Sequence, residues 1–125
     1  MSKLNILGSD NLCITVLSSD IVVTARCDCN DRRQNFQWLR KVYLINSASG
    51  KCLSLKSFPP KHGDELTVKI CPTGNAPVRQ AWHAEGYRLS LMYNTQFGVK
   101  DPSSLLYKVE HNSSQKMVII FPFLP

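Results

Sequence analysis

Apolar residues in this chain fall in short runs that alternate with polar ones or are β-branched. None of these runs holds the 3.6-residue spacing of an amphipathic helix. The clearest are Cys13-Ile14-Thr15-Val16, Ile21-Val22-Val23-Thr24-Ala25, Cys52-Leu53-Ser54-Leu55, Leu66-Thr67-Val68-Lys69-Ile70, Tyr87-Arg88-Leu89-Ser90-Leu91 and Leu105-Leu106-Tyr107-Lys108-Val109. Runs of this length bounded by turn formers predict β-strands. The boundaries are Gly8-Ser9-Asp10-Asn11, Ser47-Ala48-Ser49-Gly50, Pro59-Pro60-Lys61-His62-Gly63-Asp64, Pro72-Thr73-Gly74-Asn75, Asp101-Pro102-Ser103-Ser104 and His111-Asn112-Ser113-Ser114. Asp64-Glu65 accordingly reads as loop. The stretch from Arg32 to Leu39 has room for one helical or 3₁₀ turn. The expected class is all-β.

The runs repeat. Trp38 and Trp82 lie 44 residues apart; each follows a cysteine by eleven residues (Cys27, Cys71) and precedes a tyrosine by five (Tyr43, Tyr87). Each of those cysteines closes a β-rich run, and upstream of each lies another cysteine that opens a short strand, Cys13 or Cys52. A third copy is weaker: Phe97 and Glu110 stand at the cysteine positions and Gln115-Lys116-Met117 matches Gln80-Ala81-Trp82. This divides the chain into repeats of roughly 3–39, 40–83 and 84–121, each of about four strands, within a single domain 1–125. Three such units suggest a closed threefold barrel, because closure removes exposed strand edges. Trp38, Trp82 and Met117 would be its core anchors.

Length agrees with one domain: 125 residues, 43% hydrophobic, bury enough surface to hold a core without a metal. No apolar run reaches the span of a membrane helix, and Met1-Ser2-Lys3-Leu4-Asn5 carries no long apolar stretch of the signal-peptide kind. Fifteen basic residues against nine acidic give a net charge of +6, which favours anionic partners as well as solubility. The densest basic groups are Arg32-Arg33 and Arg40-Lys41. Five cysteines leave one over if four pair. Cys27-Asp28-Cys29 has no second cysteine pair or nearby histidine to complete a zinc tetrahedron, so no metal or other cofactor is expected. Two local disulfides and one thiol imply an oxidising compartment; in a reducing one, all five are thiols.

The short Cys-Leu-x-Leu strand, the β-run ending in cysteine and the closing Gln80-Ala81-Trp82 resemble the ricin B-type β-trefoil lectin repeat. Ser49-Gly50-Lys51-Cys52-Leu53 fits it well, and Phe36-Gln37-Trp38 resembles a variant that has lost the glutamine. Within that superfamily the chain is most similar to the N-terminal cysteine-rich domain of the mannose-receptor family. The resemblance covers nearly the whole chain and implies a β-trefoil with disulfides Cys13–Cys27 and Cys52–Cys71, leaving Cys29 free. Loops of about 15 and 20 residues would each contribute roughly 3 kcal/mol.

The same resemblance frames the ligand. Ricin-type lobes place an aspartate two residues after the first cysteine, to engage adjacent sugar hydroxyls. The matching positions here are Thr15, Ser54 and Val99, so the galactose signature is absent. The mannose-receptor domain resembles this chain in lacking it too, and its implied ligands are sulfated N-acetylgalactosamine glycans bound in the third lobe. A sulfate keeps its charge at every relevant pH and suits backbone N–H groups, lysine and histidine. The corresponding candidates are Lys108, His111, Asn112 and Gln115, with Tyr93, Asn94 and Asp101 flanking. In lobe two, Asn75 and Gln80 resemble the polar pair that ends a ricin-type lobe, although such a glutamine more often supports backbone. Phe58 is the aromatic there with a route to solvent, and His83 should alternate outward from Trp82. Asn112-Ser113-Ser114 is a glycosylation sequon.

Nothing assembles a catalytic constellation: His62, His83 and His111 lack a nucleophile context, and no phosphate-binding glycine loop is present. The expected function is a non-catalytic, lectin-like module for sulfated or acidic glycans; the alternative is a trefoil protein-interaction module that has lost sugar binding. A nucleic-acid binder would interleave aromatics with basic residues along a strand, which this chain does not. The expected form is a monomer with no membrane insertion. It would be extracellular, as the excised part of a receptor, with a cytoplasmic protein as the alternative.

Overall fold

Consecutive runs pair as antiparallel hairpins. The computed structural model describes residues 2–3, 5–6, 9–59, 64–74, 77–85, 88–100, 116–117 and 119–122. Its strands are β1 (Ser2–Lys3), β2 (Asn5–Ile6), β3 (Ser9–Val16), β4 (Val22–Arg26), β5 (Asn35–Leu39), β6 (Tyr43–Asn46), β7 (Cys52–Leu55), β8 (Asp64–Lys69), β9 (Trp82–Glu85), β10 (Arg88–Leu91), β11 (Asn94–Lys100), β12 (Lys116–Met117) and β13 (Ile119–Pro122). One 3₁₀ turn, Arg32–Gln34, precedes β5 and is capped by the Asp31 carboxylate, which accepts from the Arg33 N–H. The fold is therefore all-β, in two antiparallel sheets ordered β1-β5-β6-β7-β8-β13-β11-β10-β9 and β12-β4-β3-β2. A bridge between Ile21 and Thr67 joins the two. The last strands reach across the fold: β12 pairs with β4, and β13 with both β8 and β11.

The two cysteine hairpins share one register at their paired cysteines. In the β3–β4 hairpin Cys13 faces Ala25; in β7–β8 Cys52 faces Lys69. Each facing residue lies two before the second cysteine, and the bonds formed are Cys13–Cys27 and Cys52–Cys71, with Cα separations of 5.1 and 5.0 Å. Each hairpin is then closed by a glutamine. Gln34 donates its side-chain amide to the Arg26 carbonyl (2.8 Å), and Gln80 donates to the Ile70 carbonyl (3.3 Å). Both carbonyls belong to the residue just before the second cysteine. Two residues after each glutamine comes a buried aromatic, Phe36 (0% exposed) and Trp82 (1%).

This register corrects one core assignment. The first repeat's motif is Gln34-Asn35-Phe36; its glutamine is not lost, and Trp38, 39% exposed, is not a core anchor. The connection from cysteine to glutamine is two residues shorter in the first repeat than in the second, so counting eleven from Cys27 overshoots by two. A two-residue slip keeps side-chain parity. Trp38 thus shares the face of Phe36 but lies farther along β5, at the rim. Trp82 is a core anchor as expected, its indole N–H donating to the Leu53 carbonyl (3.0 Å). Met117 lies in β12 opposite Val23; its side chain is outside the described residues.

Around Trp82 and Phe36 the core collects Ile14, Val16 and Val22 from β3 and β4, Leu44, Leu53, Leu55, Leu66 and Val68 from β6, β7 and β8, and Leu91 from β10. Two turn assignments also change. Ser9 to Asn11 continue β3, and their turn propensity survives as a register shift between Asn5 and Ile6. Asp64 and Glu65 open β8 opposite Ile120 and Ile119 rather than lying in a loop. The strand expected at 105–109 is outside the described residues.

Gln34 is a buried side chain with several hydrogen bonds. Besides Arg26 it reaches the Thr15 hydroxyl (3.2 Å), and its oxygen accepts from the Asp28 N–H (2.9 Å). Gln34→Ala should lower unfolding free energy by about 2–3 kcal/mol, since it strands buried partners. Gln37→Ala, on the exposed face of the same strand, should stay within about 0.5 kcal/mol. Urea denaturation measures both. Thiol titration of the unreduced, unfolded protein should find one cysteine, Cys29. Removing the Cys52–Cys71 pair by double alanine substitution should cost about 3 kcal/mol.

Candidate functional site

The described residues place the sequence-predicted site only in part. Tyr93, in the turn between β10 and β11, is 58% exposed, and Asn94 begins β11. Asp101, Lys108, His111, Asn112, Gln115 and Asn75 lie outside the described residues. Gln80 is buried and spent on the Ile70 carbonyl, so it holds backbone and is not a ligand contact. Phe58 is exposed in the loop after β7, and His83 faces outward. The ricin-type acidic positions point inward: Thr15 and Ser54 are fully buried, with hydroxyls donating to the Cys13 and Leu55 carbonyls (3.1 and 2.9 Å). Cys27 is consumed by its disulfide, so Cys27 and Cys29 do not form a metal or redox pair.

Among the described residues, two open grooves are formed by segments distant in the chain. One, of about 360 Å³, lies between the turn after β3 and the turn after β6, and includes Asp20, Arg33, Ser49 and Lys51. Its charges are already matched. Lys51 pairs with Asp20 (2.8 Å) and Arg33 with Asp31 (2.7 Å). The hydrogen bond from Arg33 to Asp31, reinforced by the carboxylate charge, raises the guanidinium pKa above its ordinary value. An incoming anion would have to compete with these carboxylates for both cations.

The second groove, of about 390 Å³, is lined by Trp38, Lys41, Trp82, His83 and Ala84. It forms where the end of β5, the loop into β6 and the start of β9 converge, the Trp82 N–H donating to the Val42 carbonyl (2.9 Å). Trp82 gives it a buried floor and Trp38 an exposed aromatic wall. Among the described residues no acidic side chain lines it.

The loop that presents Lys41 is unusual. Arg40 and Lys41 have φ of 51° and 67°, and the Val42 N–H returns to the Leu39 carbonyl (3.3 Å). Two successive positive φ values under such a bond mark a primed turn, where Asn-Gly or Asp-Gly is the usual pair. A residue with a Cβ costs roughly 1 kcal/mol or more at each position. Arg40 has compensation: it donates to the carbonyls of Pro72 and Thr73, and its guanidinium lies 5.4 Å from the Tyr43 ring centroid. These contacts tie the loop between β5 and β6 to the segment after β8 and stiffen the groove's edge. Arg40-Lys41 was visible in the sequence only as a basic pair; with neither asparagine nor glycine, nothing in it signalled this turn.

Lys41→Gly should relieve the backbone and raise unfolding free energy by about 1 kcal/mol. Thermal denaturation checks this; a fall in stability would mean that Lys41 is held by contacts other than those described. No protein-family model matches the chain, and a search of curated proteins finds no match.

Proposed function

We propose that this chain is a non-catalytic, lectin-like β-trefoil module that binds sulfated or acidic glycans. One observation carries the reading: two successive repeats share the same disulfide register, the same glutamine-to-carbonyl bond and the same buried aromatic two residues on. That triple agreement supports internal duplication, and with a third, weaker copy in the sequence it supports threefold architecture. The two disulfides belong to an oxidising compartment, which fits a module that works at the cell exterior.

The ligand class follows from charge and from which polar positions face outward. Buried Thr15 and Ser54 remove the galactose mode from lobes one and two. The net charge of +6 favours an anion. Exposed aromatics, Trp38 and Tyr93, offer flat faces of the kind sugar rings stack on. The resemblance puts the sulfated sugar in lobe three, near Lys108 and His111. A second reading, a protein-interaction module on the same fold, draws support from exposed Phe58, Ile70 and Met92.

A glycan array that includes sulfated sugars, probed with unreduced protein, separates the two. The expected result is signal on sulfated glycans that falls as salt rises, because a solvent-exposed ion contact is screened. A blank array together with a stable stoichiometric protein partner would replace the first reading by the second.

A further inference from the structure

We infer that the sulfated sugar binds in the groove between the first and second repeats, with the indole of Trp38 as its stacking platform and the Lys41 ammonium as its sulfate contact. The inference rests on the lectin-like reading but moves the site away from lobe three. Three independent features point to it.

Trp38 is the first. It lies on the core-facing side of β5, yet 39% of it stays in solvent. Exposing part of an indole forgoes apolar burial, and a shallow aromatic wall is what the apolar C–H face of a pyranose needs. The second is charge. Lys41 and exposed His83 line the groove and, among the described residues, no carboxylate does. The other groove offers the contrast, with its lysine and arginine both paired to aspartates. The third is the backbone. Lys41 keeps a positive φ that glycine would adopt freely, while its neighbour Arg40 spends its side chain on the Pro72 and Thr73 carbonyls. The hydrogen bonds of Arg40 account for Arg40. They do not account for a lysine at the next position, and strain of this kind tends to persist where a side chain serves a ligand.

The test uses the intact, disulfide-bonded protein and titration calorimetry. The probes are N-acetylgalactosamine carrying one sulfate and the same sugar without it. The wild type should bind the sulfated probe at least tenfold more tightly. Trp38→Ala should weaken both probes, and Lys41→Gly should weaken the sulfated one about tenfold while leaving the unsulfated one unchanged. Because Lys41→Gly is expected to be more stable than the wild type, its loss of binding cannot come from unfolding.

Full binding by both variants, with loss in the Lys108→Ala, His111→Ala double variant, would overturn the groove and leave the lectin-like reading standing in lobe three. No binding of either sugar by the wild type would overturn both. Binding of a tyrosine-sulfated peptide with neither sugar would assign the groove to a protein partner and overturn the inference.

Discussion

Where the second strand of each cysteine hairpin ends, the last carbonyl before the disulfide accepts a hydrogen bond from a glutamine that comes later in the chain. Gln34 serves Arg26 in this way, and Gln80 serves Ile70. A main-chain carbonyl at a strand end must find a donor if water is to be kept from it. Using a side chain for this fixes more than the hydrogen bond. It ties the hairpin to the strand that follows the glutamine, and strand parity then sends the residue two positions on toward the core. Phe36 and Trp82 are buried because of where Gln34 and Gln80 are pinned. The disulfide beside each carbonyl limits how far the hairpin end can move and so keeps the acceptor in place. Covalent link, amide and aromatic operate as one unit, and the chain uses it twice.

The same unit explains what could and could not be read in advance. Alternation and β-branching located the hairpins, since a half-buried strand shows its period directly. Trp82 was legible because its glutamine and cysteine both stand at the expected distances. Trp38 was misplaced for a specific reason: the first repeat's connection is two residues shorter, and a period of two cannot register a slip of two. The Gln34-Asn35-Phe36 sequence was available, but tryptophan is the louder signal. The turn at Asp64 was overridden by pairing with Ile120, far away in sequence, which local propensity does not see, whereas Ser9 pairs locally with Ile6 across a register shift. The Arg40-Lys41 turn was illegible for the opposite reason: the residues that advertise a primed turn are missing, and its conformation is set by tertiary contacts of Arg40.

Stability and surface chemistry divide along this line. The chain puts its aromatic and aliphatic mass behind the glutamines and leaves Trp38 beyond them, on the correct face of β5 but past the end of the core. A rim tryptophan is thus a by-product of the strand running on after its anchor, and its neighbours decide whether it has a use. Here they are a lysine on a strained loop, an outward histidine and the covered edge of Trp82. The loop is held rigid from the far side by Arg40, so the wall and the charge keep a fixed relation without help from a ligand. Preorganisation of that sort lowers the entropic cost of binding.

A carboxylate at Thr15 or Ser54 would be a charge in a fully enclosed site, and enclosing an unpaired charge costs several kcal/mol. The hydroxyls present there are satisfied by carbonyls within one or two residues. Thr15 also receives the Gln34 amide, so in the first repeat the residue that would carry a galactose-type aspartate belongs to the same network that anchors Phe36. An aspartate at this position would therefore act against the fold before it could act on a sugar. On the proposed lectin-like reading, a ligand is met by residues outside that network, and Trp38 and Lys41, which line the groove beside β9, are the pair proposed for it.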